Sequence, residues 1–109
     1  MYTQKTFSST NAAITVELGF VPDKIVIQNV DTRVKLEWSD LMTSGEFVKT
    51  VAAGTRTLET ASLPITLIDG SDKTNNVSSS FGFVLGTYAD INDAADEHII
   101  VEAYREDVV

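Results

Sequence analysis

Hydrophobic and polar residues alternate through Val34-Lys35-Leu36-Glu37-Trp38, so Val34, Leu36 and Trp38 share one face of an extended chain and Lys35 and Glu37 the other. A two-residue period is the signature of a half-buried β-strand. The pattern recurs where Ile14, Val16 and Leu18 oppose Thr15 and Glu17, and in Ser80-Phe81-Gly82-Phe83-Val84-Leu85-Gly86, which sets aromatic residues at alternate positions among glycines. Residues 24–30 differ: Ile25 and Ile27 lie on one face and Val26 and Val30 on the other, as expected of an interior strand covered on two sides. Strands are thus expected over residues 3–8, 13–18, 24–30, 33–39, 47–51, 55–60, 65–68, 81–86 and 97–105. Turn residues punctuate them at Gly19-Phe20-Val21-Pro22-Asp23, Ala52-Ala53-Gly54 and Ser62-Leu63-Pro64. Ser39-Asp40-Leu41-Met42 is compatible with a single helical turn.

Short strands with turns between them point to an all-β fold, a single antiparallel β-sandwich of jelly-roll-like type, and not to βαβ units. At 109 residues the chain makes one domain, residues 1–109. A chain of this length can bury roughly 65% of its unfolded surface, enough for an independent core. Trp38, Ile25, Ile27, Phe83 and Leu85 are its expected members. Residues 69–79, polar and small, read as a long mobile loop. Residues 1–9 alternate only weakly and have little apolar surface, so they serve as either an arm or an edge strand. If they form an arm, Tyr2 and Phe7 are its interface anchors, because aromatics carry much of an interface's energy.

Charge and residue inventory then exclude whole classes of function. Sixteen acidic residues against eight basic ones give a formal charge of −8, which repels a phosphate backbone, so nucleic acid is not an expected partner. With no cysteine the fold needs no disulfide. The start of the chain lacks the basic region and apolar run of a signal peptide, and no stretch approaches the ~20 apolar residues of a membrane span. Synthesis and folding in cytoplasm are expected, with no membrane partner. His98, the single histidine, sits between strand-like neighbours and reads as a strand-edge residue, not a general base. Zinc-type ligand sets and glycine-rich phosphate loops are missing. Two acidic stretches, Asp69, Ser71 and Asp72, and Asp90, Asn92, Asp93, Asp96 and Glu97, carry oxygen ligands suited to calcium, yet neither has EF-hand spacing. Turn chemistry explains both, so no metal and no cofactor is expected. Glu37, Glu59 and Glu102 would serve sugar hydrolysis only if a cleft paired them, and no enzyme is expected. Trp38, Tyr88 and Tyr104 are candidates for a sugar-stacking platform, though Trp38 shares the apolar face of its strand.

Gly19-Phe20-Val21-Pro22, then Ile25-Val26-Ile27-Gln28-Asn29-Val30, then Leu36-Glu37-Trp38 with Met42, and finally Gly82-Phe83-Val84-Leu85-Gly86 before Ile91-Asn92 and Ala103-Tyr104, form a spaced pattern over residues 18–105. This pattern resembles the small β-sandwich virion proteins of tailed bacteriophages. Asp93-Ala94-Ala95-Asp96 stands where that pattern would have a glycine-bearing turn. The resemblance implies a capsid decoration, or cement, protein that binds the major capsid protein on the outside of the virion and stabilises the shell. It also implies a homotrimer, made in the host cytoplasm. A carbohydrate- or receptor-binding module of a phage fibre or tail is the alternative, and would need exposed aromatics and polar loops at one end of the sandwich.

Overall fold

In the computed structural model, which describes residues 1–68 and 81–106, alternation becomes nine strands. They are β1 (Tyr2–Thr10), β2 (Ile14–Glu17), β3 (Lys24–Asn29), β4 (Val34–Ser39), β5 (Phe47–Thr50), β6 (Arg56–Glu59), β7 (Ile65–Ile68), β8 (Gly82–Leu85) and β9 (Ala95–Tyr104). Two antiparallel sheets form an open sandwich: six strands in the order β1-β9-β3-β4-β5-β6, and three in the order β2-β8-β7. Nested pairings join β1 to β9 and β2 to β8, whereas β3 to β6 follow one another as a meander. These pairings establish the all-β sandwich; a jelly roll would need more than they define.

Register places the core. Ile25 pairs with Trp38 and Ala103, and Ile27 with Leu36 and Val101, so three strands contribute matching rows to one face. Against them the small sheet sets Val16, Phe83, Leu85 and Ile65. Trp38, Ile25, Ile27, Phe83 and Leu85 are all buried, as their alternation required. The second face of β3 is another matter. Both of its edges are paired, but Val26 is only half-buried and Val30, just past the strand, is 43% exposed, which overturns the expectation of cover on two sides. The sequence pattern reported a central strand, and central here means flanked in the sheet, not sandwiched.

Polar groups inside the fold are few, and each is hydrogen-bonded. Asn29 follows the parity of Ile25 and Ile27 and therefore points inward, fully buried. Its Nδ2 donates to the Ile91 carbonyl at 2.9 Å and to Glu97 Oε1 at 3.2 Å, while its Oδ1 accepts from the amides of Asp31 at 2.9 Å and Thr32 at 3.1 Å. Asn92, also buried, accepts from the Thr10 amide and donates to the Ala12 carbonyl. Ser9 Oγ accepts the Glu97 amide at 2.9 Å, where the β1-β9 register shifts. Three side chains thus tie the ends of β1, β3 and β9 together. Among the described residues no buried side-chain nitrogen or oxygen is left without a partner.

Residues 39–42 close a tight turn, with the Met42 amide donating to the Ser39 carbonyl at 3.1 Å, instead of the single helical turn expected. This leaves Leu41 at the tip, 93% exposed. The polar segment read as a mobile loop, residues 69–79, lies outside the described residues. Residues 1–9, read as an arm or an edge strand, lie at the edge of the large sheet, paired from Tyr2 opposite Tyr104 to Ser8 opposite His98.

Two stability predictions follow from packing. Asn29→Ala should cost about 2 to 4 kcal/mol, because the carbonyl and amides it serves lose their partner inside the protein. Urea unfolding at unchanged m-value measures this, with the outward Gln28→Ala as a near-neutral control; equal midpoints for both variants would remove the role given to Asn29. The glycines of the Gly82-Phe83-Val84-Leu85-Gly86 run should behave unequally. A Cβ at Gly82 would collide with the Val16 carbonyl, whereas one at Gly86 would meet Pro64 O at an ordinary 3.7 Å. Gly82→Ala should therefore lose about 2 kcal/mol or more, and Gly86→Ala much less, in thermal melts.

Candidate functional site

Residues of the large sheet that do not face the core form a broad outer surface. Pairing lays them in rows: Gln4, Glu102, Val26, Glu37, Val48 and Leu58 run across all six strands, and Tyr2, Tyr104, Lys24 and Ser39 lie beside them. The small sheet sits on the opposite face, so among the described residues no strand layer covers this one. Charge and apolar groups alternate along it. Glu37 lies 3.8 Å from Lys35 and 3.6 Å from Arg56, pairs exposed enough to contribute little to stability.

Aromatic residues gather at one end. Tyr2 and Tyr104 pack with ring centroids 4.9 Å apart and planes tilted by 39°, and Lys24 Nζ sits 5.4 Å from the Tyr104 centroid. The Tyr104 hydroxyl donates to Glu102 Oε2 at 2.7 Å. That bond holds the Tyr104 phenol up to about 12, with partial burial and the negative charge of Glu102 adding to it. Next to this cluster lies a shallow hollow of about 510 Å³ lined by Met1, Lys24, Asp40, Leu41, Tyr104 and Arg105. Leu41, Tyr2 and Met1, each more than half exposed, add apolar surface to this end.

The free edge of β1 is a second feature. Met1 and Arg105 exchange both backbone hydrogen bonds, at 2.6 and 2.8 Å, which fixes the odd positions of β1 as those bonded to β9. The amides and carbonyls of Tyr2, Gln4, Thr6 and Ser8 consequently point away from the sheet. Beside them a groove of about 280 Å³ runs between β1 and β2, lined by Lys5, Phe7, Ile14, Val16 and Glu17.

The residues singled out from sequence fall in different places. Tyr2 is exposed on the outer face, 55% accessible, whereas Phe7 turns to the inner face and packs half-buried against the core. They are not on one surface. Trp38 is buried and offers no stacking platform; Tyr88 meets Phe47 edge-on at 5.5 Å, with Lys49 Nζ 5.1 Å from its ring. Burial and the nearby Glu59 carboxylate push the Tyr88 phenol up. His98 lies on the exposed face of β9, which is an interior strand and not an edge, and its amide donates to Asp31 Oδ2 at 2.8 Å. Glu37 and Glu102 flank Val26 on the outer face, while Glu59 is on the opposite side of the sheet, so the three carboxylates are not brought together.

In the second acidic stretch three of the five side chains are engaged within the fold. Asp93 Oδ1 accepts the Asp90 amide, Asn92 holds Thr10 and Ala12, and Glu97 accepts from Asn29. Asp90 and Asp96 both take left-handed backbone angles of φ 64°, the turn role their residue type favours. Among the described residues no cluster of three His, Cys, Asp or Glu side chains could hold a metal. Asp69, Ser71 and Asp72 lie outside the described residues. Alternation within each strand could not show the Tyr2, Tyr104 and Lys24 cluster, because it needs the pairing of strands at the two ends of the chain.

No protein-family model, no curated protein and no solved structure matches this chain.

Tyr104 offers a spectroscopic test of the aromatic end. The Tyr104→Phe protein should lose the absorbance change near pH 12, and Glu102→Gln should move that change down. A raised folded-state value means that its contribution to stability is complete below the ordinary 10.0 and is lost as pH rises from there towards about 12. Unchanged titration in Glu102→Gln would show that the carboxylate does not hold the phenol.

Proposed function

We propose that this protein is a non-catalytic structural module that binds a large protein surface. In the more specific reading it is a capsid decoration protein of the tailed-bacteriophage kind, made in the host cytoplasm and carried on the virion, where it bridges neighbouring copies of the major capsid protein. One observation carries the reading: the side of the six-stranded sheet turned away from the small sheet is a wide, shallow face of mixed valine, leucine, tyrosine and charged residues that no strand layer covers among the described residues. The nested pairing of β1 with β9 and β2 with β8 supports a jelly-roll-like origin for the fold, since a long hairpin rolled on itself pairs first strand with last.

Dimensions suit a partner present in many copies. Five interstrand spacings of ~4.8 Å by six residues of ~3.4 Å give a patch of roughly 500 Å². Stable one-to-one complexes bury about 800 Å² per partner. A single contact of this face is therefore weak, and a lattice of capsid subunits, or a homotrimer that engages several at once, turns weak contacts into durable binding. The rival reading, a carbohydrate- or receptor-binding module, draws on the exposed Tyr2 and Tyr104 pair. Tyr104 already has Tyr2 and Lys24 packed against it, which leaves less of its ring for a sugar.

Purified protein should bind capsids that lack it and should not bind a panel of host glycans. Leu58→Glu, at a position 55% exposed on the outer face, should weaken capsid binding at least about tenfold while melting within a few degrees of the parent. Retention on glycans without capsid binding would replace this reading with the rival one.

A further inference from the structure

We infer that the free edge of β1 is a strand-addition site for an extended segment of another protein, with a carboxylate side chain two residues from an apolar one. Three observations converge. The backbone groups of Tyr2, Gln4, Thr6 and Ser8 face open space along the edge, and an unpaired edge of this length is a template for a further strand. The chain's sixteen Asp and Glu residues leave β1 itself clear, none occurring from Met1 to Val16, so in a molecule of charge −8 the strand that offers the edge carries a lysine and no carboxylate, and Glu17 is the acidic residue lining the groove beside it. Lys5, in the middle of the edge, points inward into the groove and makes no ion pair among the described residues.

Lys5 also decides which occupant fits. The outward groups at Tyr2, Gln4, Thr6 and Ser8 are symmetric about it, so a second copy that used all four would bring Lys5 against its own counterpart. Like charges directly opposed destabilise such a pair, and an inward lysine is a known protection of edges against self-pairing. A carboxylate in the same place is favoured instead. Phe7 lies two residues further along on the same face as Lys5, above the apolar floor made by Ile14 and Val16. A partner residue opposite Phe7 is thus two removed from the one opposite Lys5, whether the added strand runs parallel or antiparallel. The recognised pattern is acidic, any residue, apolar.

The inference holds for any partner bearing such a segment, so its test uses peptides and no capsid, and its failure is separable from that of the capsid reading. The probe is a short blocked peptide of alternating threonine and valine with one glutamate at its central valine position; the control has lysine there. The glutamate peptide should shift and slow the exchange of the Tyr2, Gln4, Thr6 and Ser8 amides in NMR spectra, and bind at least about threefold tighter than the control. Lys5→Glu should invert that preference. Thr6→Pro removes an N–H that faces the open edge, where proline is tolerated, so it should abolish binding and melt close to the parent. Lys5→Pro removes a bond to β9 and should melt much lower. Equal affinity for the two peptides in the parent, an unaltered preference in Lys5→Glu, perturbation confined to the Tyr104 end, or a copy-to-copy β1 dimer that the peptide does not dissociate would each overturn the assignment.

Discussion

The position of β9 between β1 and β3 is the constraint on which the rest of the structure depends. It joins the start of the chain to its end, with Tyr2 opposite Tyr104, and it supplies Ile99, Val101 and Ala103 to the core face. Without β9 the large sheet would be a four-stranded meander and β1 would have nothing to pair with. Such closure is costly in chain entropy, since a long stretch of sequence separates the partners. Its register must be held, because a one-residue slip would turn Ile99 and Val101 outward. Asn29 supplies that hold by reaching both the loop before β9, at Ile91, and the strand's own beginning, at Glu97. Ser9 and Asn92 do the same for the end of β1.

How much of this was legible in the sequence depends on whether a feature is local. Strands were expected at all nine places, but clean alternation marked only some of them, as Val34, Leu36 and Trp38 show against Lys35 and Glu37; residues 24–30 were apolar on both faces and residues 1–9 alternated only weakly. Pairing was not readable. Nothing in residues 2–10 names residues 95–104 as their neighbours, so Tyr2 and Tyr104 could not be joined, and Tyr2 and Phe7 were grouped by residue type although parity separates them. The double-faced apolar character of β3 was misread for a related reason: Val26 sits between Glu102 and Glu37 on an open face, and a half-exposed valine has the same sequence signature as a buried one. Asn29 was hidden by its chemistry: it lay within the strand expected over residues 24–30, but a polar side chain is not an ordinary core member. Its signal was parity, third in the inward series Ile25, Ile27, Asn29.

Unequal sheets divide the surface into parts with different physics. The outer face of the large sheet spans six strands and mixes charged, polar and apolar side chains, so the contacts proposed for it would be spread over many weak terms. The β1 edge is narrow and directional. There the interaction is made by backbone groups at fixed spacing, with selectivity left to the few inward side chains, Lys5 and Phe7. No carboxylate lies within β1 itself, the first of the chain being Glu17 at the end of β2. In the proposed strand addition Lys5 favours a carboxylate on the incoming segment, and a second copy placed there would oppose Lys5 to Lys5. The same lysine that leaves the edge open to a partner keeps it from closing on its own copies.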